Sequence, residues 1–182
     1  MKKLFTLVIA LSVCFAIPLM AQEQEMAKSE MEEHAAPPPL DDEWSNWMVG
    51  EWEGTSEGPM GKSKDWMKCQ KGLDGQFLII HWKGKMDNGM TYEGRGASTI
   101  HPMSGKVMGY WIDSMRGMYE GEGKREGNKL TMEWTGSTGT AVRITEKISD
   151  DKFVVTEKMT MPDGSTMEGT SEMTRKKMAS EK

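Results

Sequence analysis

The chain has 182 residues, a formal net charge of −5 at pH 7 and two cysteines. This length suits one domain with its own core. The negative charge disfavours nucleic acid and anionic membrane surfaces as partners, because their phosphate groups would repel it. Cys14 lies in an apolar N-terminal segment with the pattern of a removable signal, so only Cys69 would remain after its removal and we expect no internal disulfide.

The first residues have the pattern of an export signal. Lys2 and Lys3 precede an apolar run over residues 4–16, and Ala21 ends a segment suited to cleavage. The run is too short for a membrane span, so we expect no membrane insertion after cleavage. Removal of residues 1–21 takes away two lysines and no acid, which changes the net charge from −5 to −7. We therefore expect a periplasmic or secreted protein.

Residues 22–40 form a polar, acidic stretch that ends in Pro37, Pro38, Pro39 and Leu40. Because this stretch has no apolar periodicity, we predict a disordered or extended linker. One compact domain is predicted over residues 41–177, and residues 178–182 are predicted to be a disordered tail.

A short helical turn is predicted after the linker, where three acidic residues favour a helix N-terminus. It places Trp44, Trp47 and Met48 on one face, which suits a lid at the end of a barrel. From Gly50 the apolar period changes to two, and about ten strand-like runs follow, separated by turns rich in Gly, Asp, Asn and Pro. The connections are too short for crossover helices, so neighbouring strands are predicted to be antiparallel. The sequence predicts an all-β fold with a single up-and-down barrel, because closure removes exposed edges. A two-sheet sandwich is the alternative.

Alternation along two late strands predicts two acids inside the barrel. Val142, Ile144 and Ile148 are predicted to face inward, and Glu146 shares their face. Glu157 shares the apolar face of the next strand. Two inward acids could serve proton transfer, or each could pair with an inward base. The remaining alternative is an error of register, since one bulge would turn either acid to solvent.

Asp113 is a third acid on a predicted inner face, which it shares with Trp111. A buried acid needs a partner. Asp113 and Ser114 could hydrogen-bond a ligand. Alternatively, Asp113 caps the turn into Met115 by accepting bonds from backbone amides.

Several segments together resemble a known family. They are residues 50–54, 73–78, 102–115, 162–164 and 174–176. From about Trp47 to Arg175 the chain is similar to an uncharacterised bacterial domain-of-unknown-function family. That family is grouped with the calycin-like barrels, which include lipocalins, fatty-acid-binding proteins and nitrobindins. The resemblance implies the barrel and no established activity.

The resemblance also implies a structural plug. In lipocalin-like barrels a late basic residue packs on the tryptophan of a Gly-x-Trp motif. Here Gly50, Trp52 and Arg175 match that arrangement, and the expected contact is a cation–π interaction.

The candidate cavity lining consists of aromatic residues with a few polar groups among them. Its members are Trp66, His81, Trp82, Tyr110, Trp111, Asp113, Trp134, Glu146 and Glu157. The favoured function is non-covalent binding of a small hydrophobic or amphipathic molecule inside the barrel. The alternatives are a hydrolase-like or isomerase-like enzyme that uses the inward carboxylates, and a ligand-free structural or stress-related secreted domain.

No cofactor and no metal are predicted. His81 is a candidate haem ligand, but the resemblance implies a ligand from the C-terminal strands, and no histidine follows His101. Zinc-ligand spacing is missing from the sequence. The 19 methionines are spread along the chain, which predicts core packing in place of leucine rather than a copper site. Cys69 is predicted to be a small buried side chain rather than a reactive thiol.

Overall fold

A computed structural model describes residues 37–177. The predicted signal segment, residues 22–36 of the predicted linker and the predicted tail lie outside the described residues. Over the described part of the chain, no helix has both the length and the apolar character needed to cross a membrane.

One short helix and ten strands follow one another in the described chain. They are α1 (Glu43–Met48), β1 (Gly50–Gly58), β2 (Gly61–Gly72), β3 (Phe77–Met86), β4 (Thr91–Ile100), β5 (Val107–Asp113), β6 (Met118–Glu126), β7 (Lys129–Gly136), β8 (Gly139–Ser149), β9 (Lys152–Thr160) and β10 (Thr166–Arg175). Each strand pairs with its sequence neighbours, and β1 also pairs with β10 to close the barrel. The up-and-down barrel is thereby confirmed. The sandwich alternative is wrong, because a closed ring of paired strands leaves no open edge.

The helix α1 covers one end of the barrel, which we call the helix end. Asp42 caps α1 by accepting a hydrogen bond from the Ser45 amide at 3.0 Å. Trp47 packs edge-on against Trp52, with ring centroids 5.5 Å apart, and Trp52 packs against Phe153 at 4.8 Å. These buried rings form the apolar core of the helix end.

Glycine on one strand makes room for a tryptophan ring from the next strand. A Cβ atom at Gly96 on β4 would lie 2.6 Å from Cε3 of Trp111 on β5. A Cβ atom at Gly121 on β6 would lie 2.5 Å from Cε3 of Trp134 on β7. Both rings therefore lie close against the barrel wall, which only glycine permits at these positions.

Candidate functional site in the barrel interior

A cavity of about 90 Å³ lies inside the barrel, next to the apolar core of the helix end. Its wall is mostly apolar: Met48, Met67 and Met132 contribute thioethers, and Trp82, Trp111 and Trp134 contribute aromatic rings. A cavity of about 150 Å³ is known to accept benzene. Entry of a molecule of that size therefore requires the wall to move, and methionine is the side chain best suited to such adjustment.

An ion pair adjoins this cavity on the side away from α1. Arg143 on β8 lies directly opposite Glu157 on β9, and its Nε donates to Oε2 of Glu157 at 2.6 Å. Burial alone would lower the pKa of Arg143, but the charge of Glu157, the interaction with Tyr92 and the hydrogen bond to Glu157 together outweigh it, and the pKa is raised. The guanidinium therefore stays charged, and its Cζ lies 5.7 Å from the ring centroid of Trp111.

A second polar contact joins Trp111 to Tyr92 on β4. The indole Nε1 of Trp111 donates to the Tyr92 hydroxyl at 2.9 Å. Burial raises the pKa of Tyr92 to about 12, so the phenol is neutral at physiological pH. Both the ring and the indole N–H of Trp111 therefore have partners inside the barrel.

Asp113 closes the β5–β6 turn. Its Oδ1 accepts hydrogen bonds from the amides of Met115 and Gly117, each at 2.9 Å. This is the capping alternative stated from the sequence. The carboxylate is therefore engaged by backbone donors at the end of the barrel opposite α1.

Trp134 on β7 differs from Trp111 on β5 in its hydrogen bonding. Its Nε1 is buried and has no hydrogen-bond partner among the described residues. Trp134 lines the interior cavity of about 90 Å³ and also an adjoining space of about 30 Å³, which it shares with Arg143 and Glu157. The residue that carries this unpartnered donor thus lies between the apolar cavity and the ion pair.

Two of the predicted lining residues, Trp66 and His81, form a contact on the outer face of the barrel. Their rings meet edge-on, with centroids 5.5 Å apart. Trp66 donates to Glu51 at 3.3 Å, and Nε2 of His81 lies 2.7 Å from Oε1 of Glu93. The prediction that these two side chains line the cavity is wrong. Both faces of β3 are apolar, so alternation alone does not identify the inner one.

Tyr110 contributes to the cavity wall but is also largely exposed. It belongs to the wall of the cavity, but it is 51% exposed. The neighbouring exposed residues Met108 and Ile112 share its outer face. We therefore assign the Tyr110 side chain to the outside, contrary to the prediction.

The inner face of β8 is opposite to the predicted one. Its register with β9 shifts between Lys147 and Ser149. Without that bulge Ile148 would oppose Phe153 and face inward. With it, Arg143 takes the inward position opposite Glu157, and Glu146 faces outward.

Glu146 on the outer face forms an ion pair with Lys129 at 3.3 Å. The predicted pair of inward acids, Glu146 and Glu157, therefore does not form. The predicted inward placement of Val142 is wrong for the same reason, and that residue is exposed. Ile144 and Ile148 share the outer face with it.

Arg143 is the residue that sequence reasoning missed. An arginine between two branched apolar residues resembles an outward position on an amphipathic strand. The inward position of Arg143 could have been predicted from its pairing with Glu157 on the next strand. That pairing can be deduced only when the position of the bulge in β8 is known.

The plug at the helix end contains the contact that the resemblance implies. Cζ of Arg175 lies 4.1 Å from the ring centroid of Trp52. Its Nη1 and Nη2 donate to the carbonyls of Val49 and Trp47 at 2.8 and 2.5 Å. Gly50 has φ +141°, and a Cβ there would lie 2.6 Å from Nη1 of Arg175, so glycine is required at this position.

The comparisons with known proteins place the chain in a family. It belongs to the family described as a protein of unknown function (DUF1579), whose model matches residues 40–176. No curated protein matches the sequence.

Several solved structures share the fold, including one from Guillardia theta and one from M. tuberculosis. The S-type phycobiliprotein lyase CPES from Guillardia theta has a TM-score of 0.59 and 13% identity, covering 75% of this chain and 93% of its own. Rv2717c from M. tuberculosis has a TM-score of 0.56 and 13% identity, covering 72% and 94%. At these identities the similarity shows a common barrel fold.

Proposed function

We propose that this protein binds a small hydrophobic or amphipathic molecule non-covalently inside the barrel, after export to the periplasm or out of the cell. The observation that carries the proposal is the apolar cavity between Trp82, Trp111 and Trp134. Concave, mostly apolar sites with a few polar groups are typical of small-molecule binding. Because the cavity is about 90 Å³, the ligand is small or the methionine side chains move to admit it.

The alternative of an acid–base enzyme loses the pair of inward carboxylates from which it was derived. Glu157 is bound to Arg143, and Asp113 is bound to two backbone amides. A ligand-free structural domain is the outcome that the following experiment would reveal.

The test uses a matched pair of variants. Val107 lines the cavity, whereas Val142 is exposed on the outer face. V107F fills the cavity, so we expect it to abolish the change in tryptophan fluorescence on titration with toluene. V142F introduces the same side chain outside the barrel and should bind as the wild type does.

Native mass spectrometry of the protein purified from its host provides a second measurement. We expect an added small mass on the wild type that is lost in V107F. No added mass together with no response to toluene, or equal binding by V107F and the wild type, would contradict the proposal.

A further inference from the structure

The indole N–H of Trp134 has no hydrogen-bond acceptor among the residues that the structure describes. Other tryptophans of the described chain do have acceptors: Trp47 donates to Asp150, Trp52 to Met48 and Trp111 to Tyr92. The Nε1 atom of Trp134 is buried from solvent, yet it has no hydrogen-bond partner among the described residues. Buried donors left unpaired are rare in native proteins and call for an explanation.

The position of Trp134 points to a bound molecule as that acceptor. Its side chain lines the apolar cavity together with Met132, and it also lines the adjoining space beside Arg143. A molecule with its apolar part in the cavity would bring its other end to this boundary. If a water molecule serves Trp134 in the free protein, a ligand must supply an acceptor to replace it without loss.

The charges around this boundary favour a neutral acceptor over an anion. Arg143 already donates to Glu157 at 2.6 Å, so its positive charge is balanced. Besides burial, the negative charges of Asp113 and Glu157 raise the pKa of Tyr92, the hydrogen-bond partner of Trp111, so the charge near this part of the interior is not net positive. A carboxylate ligand would lose its hydration without meeting a net positive charge, which is unfavourable.

Resting on the proposed function, we propose that the ligand is a small apolar molecule with a neutral hydrogen-bond acceptor, such as a ketone, ester or amide carbonyl. The acceptor binds Nε1–H of Trp134, and the apolar part occupies the cavity beside Met132. Trp134 therefore selects the ligand by its carbonyl group, while the methionine and tryptophan wall selects it by size.

Three probes of similar size separate these possibilities by calorimetric titration: ethylbenzene has no acceptor, acetophenone has a neutral carbonyl, and benzoate is an anion. We expect acetophenone to bind about tenfold more tightly than ethylbenzene, the effect of one neutral hydrogen bond in a buried site. Benzoate should bind more weakly than acetophenone.

Two tryptophan variants assign the effect to one donor. W134F keeps an aromatic ring but removes the N–H, so it should abolish the preference for acetophenone over ethylbenzene. W111F is the matched control, because the Trp111 donor is already bound to Tyr92. W111F should change the affinity for both probes alike and keep the preference.

A spectroscopic measurement on the wild type does not depend on the folding of W134F. The indole N–H resonance of Trp134 should move downfield with acetophenone and not with ethylbenzene; this signal is the one that W134F lacks. Equal affinity for the two probes, a preference that persists in W134F, tightest binding of benzoate, or an indole resonance unmoved by acetophenone would each overturn the inference while leaving the proposed function intact. Failure of all three probes to bind would overturn the proposed function and the inference together.

Discussion

Cys69 shows how burial alone determines the chemistry of a residue. Its side chain is 1% exposed, and burial raises its thiol pKa to about 12. We expect native protein produced without residues 1–21, and therefore without Cys14, to give no reaction with a disulfide reagent at pH 8, and one thiol to react after denaturation in guanidinium. C69A should be inert in both states. Rapid labelling of the native protein would contradict this placement.

The ion pair of Arg143 and Glu157 makes a second residue-scale prediction. Removing one partner leaves the other partly buried and unpaired, so we expect R143M to lower the free energy of unfolding by about 1–3 kcal/mol. The side chains are 32% and 29% exposed, and solvent screening keeps the effect below that of a fully buried pair.

The double variant R143M/E157L removes both charges, and it should be more stable than the sum of the two single variants predicts. Urea unfolding of all four proteins measures this coupling. Additive effects within about 0.3 kcal/mol would contradict it.

At the scale of elements, the sequence specified the strands better than their faces. Ten strands, their antiparallel order and the helix before them follow from turns and alternation. The face of β8 did not follow, because one extra residue near Ile148 reverses every side chain before it. β3 was ambiguous for another reason: Leu78, Ile80 and Trp82 line the cavity, but the outer face carries Phe77 and Ile79, which are also apolar.

The candidate site was accordingly predicted only in part. Trp82, Trp111 and Trp134 were predicted in the interior and do line the cavity. The same expectation that large rings point inward failed for Trp66 and Tyr110, so ring size alone does not identify the inner face. Arg143 was missed, and Trp134 gave no hint of its unpaired donor, because hydrogen-bond partners depend on contacts between distant strands.

The carboxyl group of Asp42, which caps α1, makes the stability of that helix depend on pH. Burial raises the pKa of Asp42, but hydrogen bonds from Ser45 and the attraction of Arg125 outweigh it, and the net shift is downward. A carboxyl pKa that is lower in the folded state stabilises the protein above the unfolded value of about 3.9, and this stabilisation is lost as the pH falls through the folded pKa.

We therefore expect D42N to lower the free energy of unfolding at pH 7 by about 1 kcal/mol, since it keeps a capping oxygen and loses the charge. The difference from the wild type should shrink as the pH is lowered below about 4. D41N is the control, because Asp41 precedes the cap and its side chain is 88% exposed. An equal effect of D42N at pH 7 and at the lowest pH studied would exclude the charge as the cause.

At the scale of the whole molecule, Arg175 takes part both in closing the barrel and in the plug at the helix end. Arg175 ends β10, the strand that closes the ring against β1, and it donates to the carbonyls of Trp47 in the last turn of α1 and of Val49, which follows α1. Its guanidinium also covers Trp52, the fully buried ring at the helix end. One side chain thus connects the last strand to the first elements of the fold.

Lysine at this position keeps the charge but has no planar fork to serve two carbonyls and an aromatic face together. We expect R175K to lower the free energy of unfolding by about 2 kcal/mol, through the loss of one or two charged hydrogen bonds and part of the cation–π contact. R95K is the matched control: Arg95 is largely exposed, so its effect should stay within about 0.5 kcal/mol. Because Arg175 acts on ring closure, amide exchange in R175K should accelerate first along β1 and β10. Uniform acceleration over all ten strands would show instead that closure is secured elsewhere.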